Sequence, residues 1–355
     1  MPGFLPARDL EGIAALLGDN VSRFDGARVL ICGGGGFLGL YFVSLFAHLN
    51  STVFQSPCEV LVLDNRITED VHDGAALGDL PNVTFIEQDI IREFHWEQPL
   101  DYIIQAAGIA SPYYYRKYPL ETLEVATLGT KNMLRLAQEH GVQGFLFFSS
   151  SEIYGDPDPD HVPTAESYRG NVSCLGPRAC YDESKRLGET LCKIFQDKYG
   201  VPTKIVRPFN VYGPGISELD YRVLPSFASR VAFGRPLRVY KPGTQTRTYC
   251  YVSDAVNGFL RVLLNGISGE PYNIGNSTPE ISVLDLAEKL MTVAERRVEV
   301  QLVEHPDAYP ADEPMRRCPD ITKARLQLEY QPTVGLTQGL GWFMEWANES
   351  YEGAA

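Results

Sequence analysis

The 355-residue chain has no Cys-x-x-Cys pair, although it carries seven cysteines at positions 32, 58, 174, 180, 192, 250 and 318. An odd count without paired spacing argues against a disulfide framework and for free thiols in a reducing compartment, here read as the cytoplasm. The six histidines are scattered, with none of the spacings that hold a zinc ion, so no metal site is expected. Positive charge is also scarce. Lys and Arg total 31 against 45 Asp and Glu, a formal net charge of −14. That balance excludes nucleic acid and anionic membrane as partners, because both require a basic face. An anionic ligand must instead be held by local arginines and backbone amides. Membrane-length apolar runs are missing but for one stretch. Val29 to Leu49 lacks Asp, Glu, Lys and Arg and is about as long as a membrane span. Four successive glycines interrupt it, and its pattern then changes from strand-like to helix-like, so a buried strand, a turn and a buried helix account for it. Residues 1–25 contain Arg8, Asp9 and Glu11 and no signal-peptide core. There is no internal repeat and no low-complexity tract. The composition reads as a soluble globular protein.

What is present is a regular alternation. A short amphipathic helix is expected over residues 9–24, with Leu10, Ile13, Leu16 and Leu17 on its apolar face. There follow apolar runs at Arg28–Cys32, Val60–Leu63, Val83–Glu87, Tyr102–Ala106, Phe145–Ser149 and Thr203–Arg207. Helical patterns separate several of them, ending near Leu49 and spanning Leu123–Glu139 and Tyr181–Tyr199. Short apolar strands alternating with helices predict an α/β fold, a doubly wound parallel Rossmann sheet. Past Arg207 the regularity gives way to segments punctuated by Gly and Pro, which predicts a smaller C-terminal substrate-binding lobe. The expected division is a helical extension over 1–25, a nucleotide domain over 26–208, a lobe over 209–347 with segments returning to the sheet, and a tail over 348–355. Asp156–Pro163 and His305–Pro319 are rich in Pro and Asp and read as loops.

Gly33-x-x-Gly36-x-x-Gly39 follows the first strand and opens a helix at Phe37 and Leu38. Glycines there let the backbone approach a pyrophosphate, and the helix start offers amide donors to its charge. Asp64 ends the second strand, where a carboxylate accepts the adenosine ribose hydroxyls and repels a 2′-phosphate, so NAD is favoured over NADP. Asp89, past the third strand, is a candidate for the adenine edge, and Ala107, past the fourth, for the cofactor wall. Tyr181 and Lys185 stand i and i+4 on one helix face. A tyrosine is a poor base near its unperturbed pKa of about 10. A neighbouring ammonium and an oxidised nicotinamide ring are expected to lower it. Lys185 is also expected to hold the nicotinamide ribose.

On this order of motifs the chain resembles the extended short-chain dehydrogenase/reductase family from about Ala27 to Trp346. That family includes nucleotide-sugar epimerases, dehydratases and decarboxylases. The resemblance makes Ser150 the assistant of Tyr181. Dehydratases read Thr-Asp-Glu in this loop, where the present chain has Ser150-Ser151-Glu152. Ser151-Glu152-Ile153-Tyr154-Gly155-Asp156-Pro157 and Gly176-Pro177-Arg178-Ala179-Cys180-Tyr181-Asp182-Glu183 look instead like the UDP-glucuronate decarboxylase branch. Further similarity places Ser111-Pro112 and Tyr115 at the sugar, Asn210 near the diphosphate, and Arg222 with Thr246-Arg247 at the nucleotide and phosphates. It makes Arg317, within Arg316-Arg317-Cys318-Pro319-Asp320, the late arginine of that branch. Guanidinium forks suit phosphate and carboxylate recognition alike.

The chain departs from the pattern at Cys32 (usually Thr), Ala126 (usually Asn), the serines of 149–151, and the stretch Ile216–Leu224. The resemblance implies an NAD-dependent enzyme in which Tyr181 removes the C4 hydroxyl proton of a UDP-uronate, CO2 leaves from the 4-keto sugar, and C4 is reduced again. Glu152 and Ser151 would orient the sugar and manage protons at C5, Arg317 would stabilise charge or assist reprotonation, and Arg178 is a candidate for contacting the departing carboxylate. A nucleotide-sugar 4-epimerase is the alternative, since it shares the tyrosine and cofactor but has no use for Glu152 or Arg317. A non-catalytic NAD-sensing module is the remote one. The resemblance further implies a homodimer through the helix pair that contains Tyr181. Trp342, Phe343 and Trp346 read as packing of a last helix.

Overall fold

A computed structural model of the chain describes residues 5–68, 77–305 and 313–353. Its N-terminal part runs α1 (Ala7–Leu17), β1 (Arg28–Cys32), α2 (Phe37–Thr52), β2 (Glu59–Asp64), β3 (Val83–Glu87), β4 (Tyr102–Gln105), α3 (Pro112–Lys117), α4 (Pro119–Glu124), α5 (Thr130–His140), β5 (Gly144–Phe148), α6 (Ala179–Tyr199) and β6 (Thr203–Pro208). A wide helical turn, Val125–Gly129, joins α4 to α5. The remainder runs β7 (Val211–Tyr212), α7 (Val223–Ala232), β8 (Leu237–Tyr240), β9 (Thr246–Arg247), β10 (Cys250–Tyr251), α8 (Val252–Asn265), β11 (Pro271–Ile274), β12 (Ile281–Ser282), α9 (Val283–Val293), β13 (Val300–Val303), β14 (Arg316–Arg317), α10 (Thr322–Leu328) and α11 (Leu336–Ser350).

Seven strands form one sheet in the order β11-β6-β5-β4-β1-β2-β3, and every pairing within it is parallel. Four of the five residues of β1 and all of those in β4 and β5 are buried. Helices cover both faces of such a sheet, so its strands carry continuous apolar runs instead of alternating ones. One core lies between the sheet and α1, α2, α8 and α11, and a second lies under α5 and α6 on the opposite face. The expected doubly wound sheet is therefore observed, with one addition. β11 comes from beyond residue 208, and α8 packs on β5 and β6. These are the segments by which the C-terminal part re-enters the seven-stranded sheet and its helical cover. Its other strands make two- and three-stranded ribbons, β10-β7, β12-β9-β14 and β13-β8.

Two expectations shift. The helix read as Leu123–Glu139 begins instead at Pro119, whose fixed φ and missing N–H suit a first helical position. The predicted extension is no appendage: α1 packs against α8 and α2, and Asp9 is buried there, accepting hydrogen bonds from Tyr41 and Tyr251. At the other end α11 runs to Ser350, and Tyr351, within the predicted tail, is buried against Phe343 and Trp346. Residues 306–312 of the loop read over His305–Pro319 lie outside the described residues. Among the described residues no helix is long and apolar enough to cross a membrane.

Candidate active site

Parallel strands all present their carboxyl ends to one edge, and a crevice opens where the strand order reverses. Here that is between β1 and β4, and a cleft of about 730 Å³ opens along this edge. Asp64, Asp89, Ala107, the serines 149–151 and Asn210 all follow or end strands of this sheet and line the cleft, together with Gly33, Gly36, Phe37, Leu38 and Gly39.

The three glycines differ in what they do. Gly33 has φ +77°, and a Cβ there would lie 2.7 Å from the Ala107 Cα; a Cβ on Gly39 would lie 2.0 Å from the Gly33 carbonyl oxygen. Backbone packing requires both. Gly36 has ordinary dihedrals, and its nearest neighbour to a Cβ is the Gly33 oxygen at 3.5 Å. The chain's own packing does not need glycine at 36, which leaves the backbone at the start of α2 open to a close-lying ligand. Asp64 accepts from the Gly35 and Arg66 amides, both at 2.9 Å. Burial pushes its carboxyl up, and those two amides act against the rise. Asp89 is fixed by the Ile91 amide and by Asn65. An open backbone at Gly36 with an oriented carboxylate at Asp64 fits a dinucleotide whose ribose carries free hydroxyls.

Tyr181 is buried and stacks on Tyr115 at 5.4 Å. Lys185 donates from Nζ to the Phe148 carbonyl at 2.8 Å and lies 5.6 Å from the Tyr181 ring centroid. The predicted lowering of the phenol is not a property of the chain alone. Burial pushes Tyr181 up to about 12, with Ser150 opposing and Glu152 adding to the rise. Burial likewise pushes Lys185 down to about 8.

Glu152 follows the Ser150 cap of a short helical turn, Ser151–Tyr154. Arg178 and Arg317 both donate to its Oε2, Arg317 at 3.0 Å. Burial alone raises this carboxyl; Arg178, Arg317 and Arg247 outweigh it, so Glu152 stays ionised below the usual carboxylate range. Arg317 is not among the residues facing the cleft. It lies behind Glu152, donating also to the carbonyls of Ser151 and Gly155. In this geometry Arg317 grips the Glu152 turn, beside the group whose charge it was expected to stabilise.

Tyr115, Arg178, Asn210, Arg222 and Arg247 face the cleft. Asn210 adopts the left-handed φ of +41° that asparagine tolerates, and donates from its amide to the Thr248 carbonyl at 2.9 Å. Arg222 forks onto Asp220 at 2.5 and 2.8 Å. Sequence reasoning missed Asp182, Asp220, Tyr249 and Glu313. Asp182 stands next to Tyr181, and burial plus Glu152 push its carboxyl up to about 7. Glu313 pairs with Arg178 and Arg247; it sat unmarked in a Pro/Asp-rich loop, and no local spacing points to it. Among the described residues no cluster of His, Cys, Asp and Glu could hold a metal.

Residues 29–275 match the NAD dependent epimerase/dehydratase family. The chain is 39% identical over 313 residues to UDP-glucuronic acid decarboxylase 5 of Arabidopsis thaliana, covering 88% of this chain and 87% of that protein. It is 37% identical over 332 residues to UDP-glucuronic acid decarboxylase 1 of Danio rerio, covering 94% and 75%. Among solved structures it resembles a dTDP-glucose 4,6-dehydratase from Streptomyces venezuelae with NAD bound, with a TM-score of 0.77 at 26% identity, covering 91% of this chain and 97% of that one.

Proposed function

The chain belongs to the NAD dependent epimerase/dehydratase family, and on that premise we propose that it decarboxylates UDP-glucuronate through a transient 4-keto sugar. The observation that carries this reading is Glu152, a carboxylate kept ionised by buried arginines beside the Ser150–Tyr181–Lys185 group. Oxidation and reduction at C4 have no need of it. Chemistry at C5, one carbon further, does.

Gly36, in the turn that Gly33 and Gly39 shape, admits the diphosphate of NAD, Asp64 the adenosine ribose, and Lys185 the nicotinamide ribose. When bound, NAD+ supplies an acceptor for the C4 hydride and a positive ring that lowers the Tyr181 phenol. Tyr181 then takes the O4 proton, with the Ser150 hydroxyl holding the phenolate oxygen in place. A ketone at C4 makes the C6 carboxylate a β-keto acid. The C5–C6 bond breaks, CO2 leaves, and its electron pair spreads into an enolate over C5, C4 and O4. Glu152 and Ser151 orient the sugar and manage the proton that C5 regains, and Arg317 fixes the Glu152 turn; C4 then takes the hydride back and O4 its proton from Tyr181, so that a UDP-pentose leaves with no net oxidation. Arg178 and Arg247 hold the anionic groups of the substrate, Tyr115 the sugar, and Asn210 and Arg222 the nucleotide diphosphate.

Incubation with NAD+ and UDP-glucuronate, followed by mass and proton NMR, should show CO2 loss and a UDP-pentose. Glu152→Ala should lower turnover by a factor of about 100 or more while NAD binding persists. An isomeric uronate of unchanged mass, formed equally by Glu152→Ala, would identify a 4-epimerase instead. We also propose a cytoplasmic homodimer. All seven cysteines are free thiols, which suits a reducing compartment. Leu120, Leu123 and Leu128 along the α4–α5 helix and Leu187 and Ile194 on α6 are exposed on two helices that pack together, the kind of apolar face a second copy covers.

A further inference from the structure

Glu313 differs from the other carboxylates of the site in what it pairs with. Arg178 donates from Nη1 to Glu313 Oε2 at 2.5 Å, and Arg247 donates from Nη2 to Glu313 Oε1 at 2.6 Å. Both arginines line the cleft. A single carboxylate spanning them means that their donors converge on one oxyanion, so the two guanidiniums make one seat and not two. The arginines are the fixed members of this group. Their side chains are 6% and 9% exposed, and Arg247 is held further by the carbonyls of Thr246 and Pro314 at 2.8 and 2.7 Å. Glu313 is the accessible member, with 28% of its side chain open to solvent.

A second observation points to a ligand in the same cleft. Tyr249 lies two residues past Arg247, lines the cleft and is 5% exposed. Its hydroxyl has no hydrogen-bond partner among the described residues. A buried hydroxyl left unpaired lowers stability, and such groups persist where a ligand completes them.

We propose that Glu313 is a displaceable internal anion: an oxyanion of the substrate takes its place between Arg178 and Arg247, and the Tyr249 hydroxyl donates to the same ligand. The inference rests on the nucleotide-sugar reading above, which offers two oxyanions, the C6 carboxylate and the diphosphate. Arg178 keeps Glu152 in either state, and exchange of one anion for another keeps Arg247 paired as well, which avoids the cost of an uncompensated buried charge. The substrate must compete with Glu313, so its apparent affinity is lower than the seat alone would give. Glu313 thereby acts as a threshold that a ligand of insufficient negative charge does not pass.

Calorimetric titration of the NAD+-loaded protein with UDP-glucuronate and with UDP-glucose tests this. Glu313→Gln keeps the shape and removes the charge, and should tighten UDP-glucuronate binding by about tenfold. A gain with UDP-glucuronate alone supports a carboxylate seat, and a gain with both sugars supports a diphosphate seat. Equal or weaker binding overturns the displacement. Tyr249→Phe should weaken UDP-glucuronate binding by about five- to tenfold without lowering the melting temperature of the ligand-free protein. A lower melting temperature would mean that the hydroxyl is already paired in the free chain, and would overturn its role. If UDP-glucuronate is bound and decarboxylated while Glu313→Gln binds it no better, only the seat fails. If the wild-type protein binds neither sugar, the seat and the decarboxylase reading fall together.

Discussion

Asp182 sits one residue past Tyr181 and between two arginines, yet Arg178 Nε is still 3.7 Å from its Oδ2 and its Oδ1 has no partner among the described residues. Burial and the Glu152 charge push its carboxyl up to about 7. The consequence for stability has a definite sign. Between the ordinary carboxyl range and about 7 the folded chain keeps a proton that the unfolded chain has released, so stability present at low pH is lost as pH rises through about 7. Asp182→Asn removes that titration. Its melting temperature should therefore gain on the wild type by several degrees between about pH 5 and about pH 8. Melting curves across that range decide the matter, and parallel slopes would show that Asp182 ionises normally. Legibility at this scale divides the site. Asp64, Tyr181 and Lys185 were readable because their signals lie within a few residues of a strand end or a helix turn. Glu313 was not, because it meets Arg178 across 135 residues and Arg247 across 66. The burial of Arg317 behind Glu152 was not readable either, since it is a fact of packing and not of spacing.

The turn between β1 and α2 separates two demands that a glycine pattern presents as one. At Gly39 a methyl group would clash with backbone, whereas at Gly36 it would make only an ordinary contact with the Gly33 carbonyl oxygen at 3.5 Å. Gly39→Ala should cost several kcal/mol, because the obstruction is a carbonyl that cannot rotate away. Gly36→Ala should cost about 1 kcal/mol or less, the usual loss at a helix N-cap, but weaken NAD by about tenfold or more. Thermal melts alongside NAD titration of the two variants should thus give opposite rankings. Equal effects on both readouts would remove Gly36 from the cofactor site. The element pattern itself was largely legible, because parallel strands buried on both faces write long apolar runs. The short ribbons of the lobe were not. β7, β9, β10, β12 and β14 have two residues each, too few to show a period, and they exist because loops meet in space. β11 was missed for the related reason that it completes the sheet from far along the chain.

For the whole molecule, the proposed second copy would lie on α4, α5 and α6, the last of which carries Tyr181 and Lys185 on its other side. Leu187→Glu places a charge in that apolar face and should convert a two-chain species to a single chain in sedimentation at micromolar concentration. A wild-type protein that sediments as one chain would end the homodimer proposal. The fold also joins its first helix to distant parts. Asp9 of α1 accepts from Tyr41 on α2 and from Tyr251 beside α8, and Arg8 stacks 4.0 Å over Trp342 of α11. Synthesis runs in one direction, so these contacts have a timetable. Asp9 is made 242 residues before Tyr251, a delay of roughly 12 to 50 s at the usual elongation rates. Through that interval the apolar face of α1 has α2 to rest on but not α8, and Arg8 waits longer still for Trp342. Of the described helices, the one made first is among the last whose contacts are complete.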